Sequence, residues 1–496
     1  MKKILCLLLW FLPCVIYSQN NFEKFWQKAN QQYERFKQNA DKNYSDFKDR
    51  ANQQYAEFME RAWRQYNAFA GIETPKEEPV PPVVMPEEDR NKPVIDNNKL
   101  IEDVIKPQPV TPQPEPVEPI KEDKQEDKGQ TFTFQFYGTD IKAPFFDNYK
   151  YKLDGVSEKQ VADGWKTLSL PKYNHLINEC LKIRKDYRLN DWAYLQMLDN
   201  LSVSIMNKQC NEATLLMAYL YCQSGYKMRI GESDNKLYML YATQSTVYGV
   251  SYYVVDADIY YLYKGDKVEY IRICQAAFPQ EQEMSFQLRQ QPVFAMQTSS
   301  YRTLQSEYYP EIKANVRVNK NLINFYNNYP TSFINGDFGT RWAMYANTPL
   351  SDEAKNTLYP ALKKVLQGKS KAESAEMLLN FVQTSLVYEY DDVVWGDDRA
   401  FFAEETLFYP YADCEDRAIL YSRLVRDLLG IDAVLIYYPG HLATAICLNS
   451  PDVKGYYFIM ENKRYYIADP TYIGAPIGLQ MPEVRNEQIK VILLDN

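Results

Sequence analysis

Residues 22–69 carry apolar positions with a period of eleven. Phe25, Phe36, Phe47, Phe58 and Phe69 recur at that interval, as do Ala29, Ala40, Ala51 and Ala62, and Tyr33, Tyr44, Tyr55 and Tyr66. Steps of four, four and three put all three sets on one narrow helical face. Eleven residues in three turns is close to the natural helical period, so the stripe barely drifts. The pattern predicts one long amphipathic helix over residues 19–72. Its stripe suits self-association or a surface contact through residues 22–69.

The periodicity then stops. Residues 73–129 hold twelve of the chain's 27 prolines, and acids outnumber bases there. Such a segment reads as an extended, disordered linker with no core of its own. Alternation returns at "TFTFQFY" from Thr131, a strand pattern. Beyond it, helical stretches such as "YNHLINECLKIRKDY" and "AKNTLYPALKKVLQG" mix with strand stretches such as "GVSYYVVDADIYYLY" and "DAVLIYY". The expected class is α+β, with one domain over residues 130–300 and another over 301–496.

Composition narrows the picture. Lys2 and Lys3 precede an apolar run that ends before Gln19, the pattern of a signal peptide over residues 1–18. The expected location is therefore outside the cytoplasm: periplasmic, cell-surface or secreted. Beyond Ser18 six cysteines remain, Cys180, Cys210, Cys222, Cys274, Cys414 and Cys447, with no CxxC pair. An even number permits disulfides, but six in so long a chain do not make a disulfide scaffold. The net charge of −9 argues against a nucleic-acid partner. The two histidines, His175 and His441, have no metal-ligand spacing around them, so neither a metal nor a cofactor is expected.

The chemistry concentrates near the C-terminus. In "YADCEDRAILYSRLVRDLLGI", Asp413 reads as an N-cap, Asp416 falls at the capping-box position, and Gly430 ends the helix. Cys414 thus opens the first turn, where free N–H groups and the helix dipole favour a thiolate. Next comes "IDAVLIYYPGHLATAICL", which reads as strand, Pro439-Gly440 kink and strand, with His441 opening the second. "GYYFIMENKRYYIADPTYIG" reads as a hairpin turning at Glu461-Asn462-Lys463, with Asp469 at its far end. Antiparallel neighbours can bring His441 beside Asp469, and a helix on that sheet can present Cys414 to the imidazole. A nucleophilic thiol needs such a base and a third group to orient it. Cys447 shares a strand face with His441 but lies too far along the strand to join the site.

The motifs "ADCEDRAILYSRLVRDLLGIDA", "PGHLATAI" and "YYIADPTYIG" together resemble the three core motifs of the transglutaminase-like superfamily, with its papain-like arrangement. The resemblance covers roughly residues 370–480. It implies a helix packed on an antiparallel sheet, with Cys414 as nucleophile, His441 as general base and acid, and Asp469 as orienter. It also implies acyl transfer from a peptide or protein amide through a thioester, without metal. The sequence departs from that pattern at Ala412, where glycine is common, and in having no tryptophan after His441. Both departures favour hydrolysis over cross-linking. Trp395, in "YEYDDVVWGDDRAFF", is a candidate oxyanion donor.

An earlier stretch, "KQCNEATLLMAYLYCQSGYKMRIGE", echoes the Cys414 region. Cys210 aligns with Cys414, but the histidine position falls near Lys236, and His175 lies upstream in the wrong order. Residues 130–300 therefore read as a related domain without catalysis. Two functions compete: an exported cysteine acyl hydrolase or transferase, and a non-catalytic surface module with a helical stalk.

Overall fold

The computed structural model describes residues 47–495 apart from 75–77, 91, 93, 100, 102, 108, 117–130, 145–148, 266–267, 450–452 and 485–488. It is a mixed α and β protein built on two mainly antiparallel sheets. No helix among these residues is long and apolar enough to cross a membrane.

The eleven-residue stripe folds differently from the expected single helix. Residues 47–59 form α1, and Trp63–Asn67 then form β1; residues 1–46 lie outside the described part. Tyr55, Ala56, Met59 and Ala62 are buried, whereas Phe47 and Phe58 are 41% and 46% exposed. Asn52 accepts a bond from Trp165 Nε1 at 3.0 Å and donates to Gln223 at 3.1 Å. Among the described residues the stripe is therefore spent partly on the protein's own core. Helix gives way to strand at Trp63 because an open sheet edge lies there. Trp63 to Asn67 pair antiparallel with Cys274 to Tyr270, and ladder bonds outweigh modest helix propensity.

The expected disordered linker is also corrected. Val83–Val84 (β2), Asn97–Asn98 (β3) and Asp103–Ile105 (β4) each join a strand of the C-terminal half in parallel. Met85 and Ile105 are buried. Proline-rich backbone is already extended, and proline is tolerated at sheet edges. A segment that cannot make a core can still wrap one.

A hairpin, Thr131–Phe136 (β5) and Thr139–Pro144 (β6), leads to Glu158–Leu168 (α2), Lys172–Asp186 (α3), Asp191–Met206 (α4) and Asn211–Gln223 (α5). Strands Met228–Ser233 (β7), Lys236–Ala242 (β8), Thr246–Val247 (β9), Tyr252–Val255 (β10), Asp258–Tyr263 (β11) and Tyr270–Cys274 (β12) follow. The first sheet runs β1-β12-β7-β8-β11-β10.

A middle region holds Arg302–Gln305 (β13), Lys313–Val316 (β14), Lys320–Tyr326 (α6), Ser332–Phe333 (β15), Gly339–Asn347 (α7), Asp352–Leu366 (α8), Lys371–Ser385 (α9), Asp391–Val394 (α10) and Ala403–Phe408 (α11). Then come Cys414–Leu429 (α12), Ala433–Tyr438 (β16), His441–Cys447 (β17), Tyr456–Met460 (β18), Lys463–Ala468 (β19), Tyr472–Ile473 (β20) and Lys490–Leu493 (β21). The second sheet runs β3-β18-β19-β17-β16-β21-β4.

The two sheets share one plan. Each has a helix followed by four strands that lie side by side in the order first, second, fourth, third. Each adds a later strand beside the first, then an N-terminal strand outside that. One apolar cluster runs from Tyr55 to Leu494 and joins both halves.

Candidate active site

Helix α12 begins as its capping residues dictate. Asp413 is the N-cap and accepts from the Asp416 N–H at 3.5 Å, and Gly430 closes the helix in the left-handed region with φ +57°. Arg417 is fully buried and donates to the carbonyls of Gln383 at 3.0 Å, Leu386 at 2.9 Å and Pro470 at 3.4 Å. Gln383 in turn donates to the carbonyls of Asp469 at 3.0 Å and Tyr472 at 2.8 Å. These two side chains tie the helix start to the strand end that carries Asp469. Sequence reasoning missed both, because their acceptors are backbone groups distant along the chain.

His441 opens β17 directly after the turn, paired with Tyr438. Gly440 makes that turn at φ +77°, a conformation glycine adopts without strain. Strands β17 and β19 are antiparallel neighbours with Thr444 opposite Ala468, so Asp469 emerges beside the imidazole. His441 Nε2 lies 2.9 Å from Asp469 Oδ2, and both residues are 2% exposed. Asp469 Oδ1 accepts from the Thr471 N–H at 2.8 Å. A carboxylate only accepts, so the neutral imidazole carries its proton on Nε2. Nδ1 is buried and has no hydrogen-bond partner; it is left as a lone pair able to take a proton.

Cys414 and His441 line the same cavity, of about 310 Å³, together with Leu442, Arg341, Glu415 and Asp391. Phe338, Trp342 and Tyr437 form an aromatic wall, with the last two rings stacked at 5.6 Å. The thiol donates to Glu415 Oε2 at 3.2 Å, and the Leu442 backbone N–H hydrogen-bonds the sulfur. Burial pushes the thiol well above its usual pKa, and Glu415 and Asp413 push it further. Burial also raises the Glu415 carboxyl, which the sulfur faces.

The acids expected only as helix caps form a buried cluster. Ligand atoms of Asp391, Asp413 and Asp416 lie within 4.8 Å of one another, as do those of Asp391, Asp398 and Glu415. That spacing could hold a hard cation. In the second set a cation is already present: buried Arg341 lies 2.8 Å from Asp398 and 3.8 Å from Glu415. Burial, with Glu415 and Asp398 adding to it, pushes Asp391 up to about 8. The acid-rich "YEYDD" and "GDDR" around Trp395 were the sequence signal for this cluster.

Trp395 itself is not brought to the cleft. It packs on Phe401 at 5.7 Å and Tyr409 at 4.9 Å, with Arg399 over its ring at 4.5 Å. Tyr248, Tyr390 and Tyr437 line the cavity in its stead. Cys447 lies at the other end of β17 from His441. All six described cysteines carry free thiols.

The first sheet has no matching triad at the corresponding points. Cys210 is the N-cap of α5, one residue before the helix. The Leu237 N–H donates to Asn211 Oδ1 at 2.9 Å, as the Leu442 N–H does to the Cys414 sulfur. Asn211, rather than Cys210, therefore stands where Cys414 stands. Lys236 opens β8 as His441 opens β17, and Lys264 follows β11 as Asp469 follows β19. His175 lies on α3, outside this arrangement.

No protein-family model matches the sequence, and no curated protein matches it.

Proposed function

We propose that this protein is an exported, transglutaminase-like cysteine acyl hydrolase or transferase acting on peptide or isopeptide amides. The observation that supports it best is the buried His441–Asp469 pair at 2.9 Å, with Nδ1 unpartnered, in one cavity with a cysteine at a helix N-terminus. The papain-like core, the export and the substrate class are parts of the same reading.

The reaction begins when the thiol turns from Glu415 to His441 and passes its proton to Nδ1. Asp469 holds the imidazole and stabilises its charged form. The thiolate attacks the amide carbonyl carbon, and negative charge moves to the oxygen. The first-turn N–H of Cys414 and the Tyr390 hydroxyl would face that oxyanion. Collapse breaks the C–N bond, and imidazolium returns its proton to the leaving amine. Water, deprotonated by His441, then attacks the thioester and frees the carboxylic acid; an amine in its place completes a transfer. Residues 130–300 act in support, without catalysis of their own.

Turnover of a peptide and isopeptide library by wild type, Cys414→Ala and His441→Ala tests this. Both variants should lose activity by at least about a thousandfold, as nucleophile and base act as a unit. Full activity in Cys414→Ala overturns the proposal. The second reading, a binding module, is favoured by the bond from the thiol to Glu415 instead of His441. It predicts peptide capture without turnover, unchanged in Cys414→Ala.

A further inference from the structure

The N-terminal segment reaches the cavity from outside both sheets. Thr74 and Pro79 line the same cavity as Cys414 and His441. The Val80 N–H donates to the Gly440 carbonyl at 2.9 Å, one residue from the imidazole. The approach is so close that a Cβ on Gly440 would meet the Glu78 carbonyl oxygen at 2.2 Å.

Both flanks of this crossing are fastened. Upstream, the Gly249 N–H donates to the Ile72 carbonyl at 3.0 Å. Downstream, Val83 and Val84 pair in parallel with Tyr472 and Ile473, just past Asp469, and the Met85 N–H donates to the Ile473 carbonyl at 2.9 Å. Met85 is 4% exposed and packs in the apolar cluster on the outer face of the second sheet. Extended backbone hydrogen-bonded to a neighbouring strand, with a side chain in a pocket, is how proteins capture peptides. Here the chain's own Glu78–Met85 take that place. Cys414 is only 5% exposed although it lines the cavity.

We propose that residues 78–85 are a built-in strap that occupies the place an extended peptide substrate would take and shields the thiol until it lifts. The word substrate rests on the catalytic reading above; the shielding does not. The backbone of Gly440 and Tyr472–Ile473 is then the peptide-docking rim of the cleft.

The test uses the full chain. Val80→Pro with Met85→Ala removes the donor to Gly440 and the buried anchor while keeping the backbone extended. A second variant replaces residues 78–85 by a glycine-serine run of equal length. The readout is the iodoacetamide alkylation rate of Cys414, followed by peptide mass spectrometry. A strap closed about nine-tenths of the time slows labelling about tenfold, so release should speed it by that factor. A synthetic peptide of residues 78–85 added in trans should slow it again. The proposal is overturned if neither variant labels faster than wild type. Labelling needs no turnover: if it accelerates and no peptide is cleaved, the strap stands and the catalytic reading falls.

Discussion

Cys414 sits between two influences of opposite sign. The helix start and the Leu442 N–H favour a thiolate, while burial, Glu415 and Asp413 oppose it. Removing the Glu415 charge should tip the balance. Glu415→Gln is expected to raise the alkylation rate of Cys414 near neutral pH by about tenfold, equivalent to one pKa unit. An unchanged rate would mean that Glu415 does not set the thiol's protonation. The buried acids also couple stability to pH. Asp391 is pushed from 3.8 up to about 8, and Glu376 and Glu404 from 4.5 up to about 7, in each case by burial first. Each holds its proton more tightly folded than unfolded. Their stabilising effect is complete below the unfolded values and is lost as pH rises through the folded ones. The Tm should therefore fall between about pH 5 and about pH 8.5, and Asp391→Asn should flatten that fall; differential scanning calorimetry across this range checks both. The triad residues were legible because their spacing follows local elements. The acid cluster was legible only in part, because Asp391, opening the short α10, and Asp398 in the loop after it reach the site by a path that nothing in the local pattern directs.

At the scale of elements, the N-terminal stripe shows how tertiary contacts redirect a local preference. Its helix stops at residue 59 and the chain joins a sheet edge at Trp63. Ala56 is fully buried while Phe58 is 46% exposed. Ala56→Asp should lower unfolding free energy by about 3 kcal/mol or more, as a buried carboxylate without a partner does. Phe58→Asp should change it by less than about 0.5 kcal/mol. Urea denaturation distinguishes this docked helix from a free stalk, for which the phenylalanine stripe would matter at least as much as the alanines. The proline-rich segment follows the same logic. Its composition ruled out a core of its own, and the edges of β18, β20 and β21 supplied partners that composition could not reveal.

The whole molecule repeats one sheet plan twice, and only the second sheet places a cysteine, a histidine and an aspartate at the points Cys414, His441 and Asp469. Asn211, Lys236 and Lys264 occupy the corresponding points of the first sheet, and a lysine cannot serve there as imidazole does. Cys210→Ser should therefore leave Cys414 labelling and any peptide turnover within about twofold of wild type, a change under the ordinary surface effect; a large loss would show that the first sheet takes part in the chemistry. By itself the sequence determined the α+β class, the capped helix that begins at Cys414, the strand that His441 opens and the strand that Asp469 follows. These depend on periodicity, capping and turn residues, which act over a few positions. Only the tertiary structure decided that the thiol faces Glu415, that Asn211 replaces the cysteine in the first sheet, and that residues 78–85 lie on the cleft edge. Those arrangements depend on which distant backbone edges and buried charges meet, and no local pattern encodes that meeting.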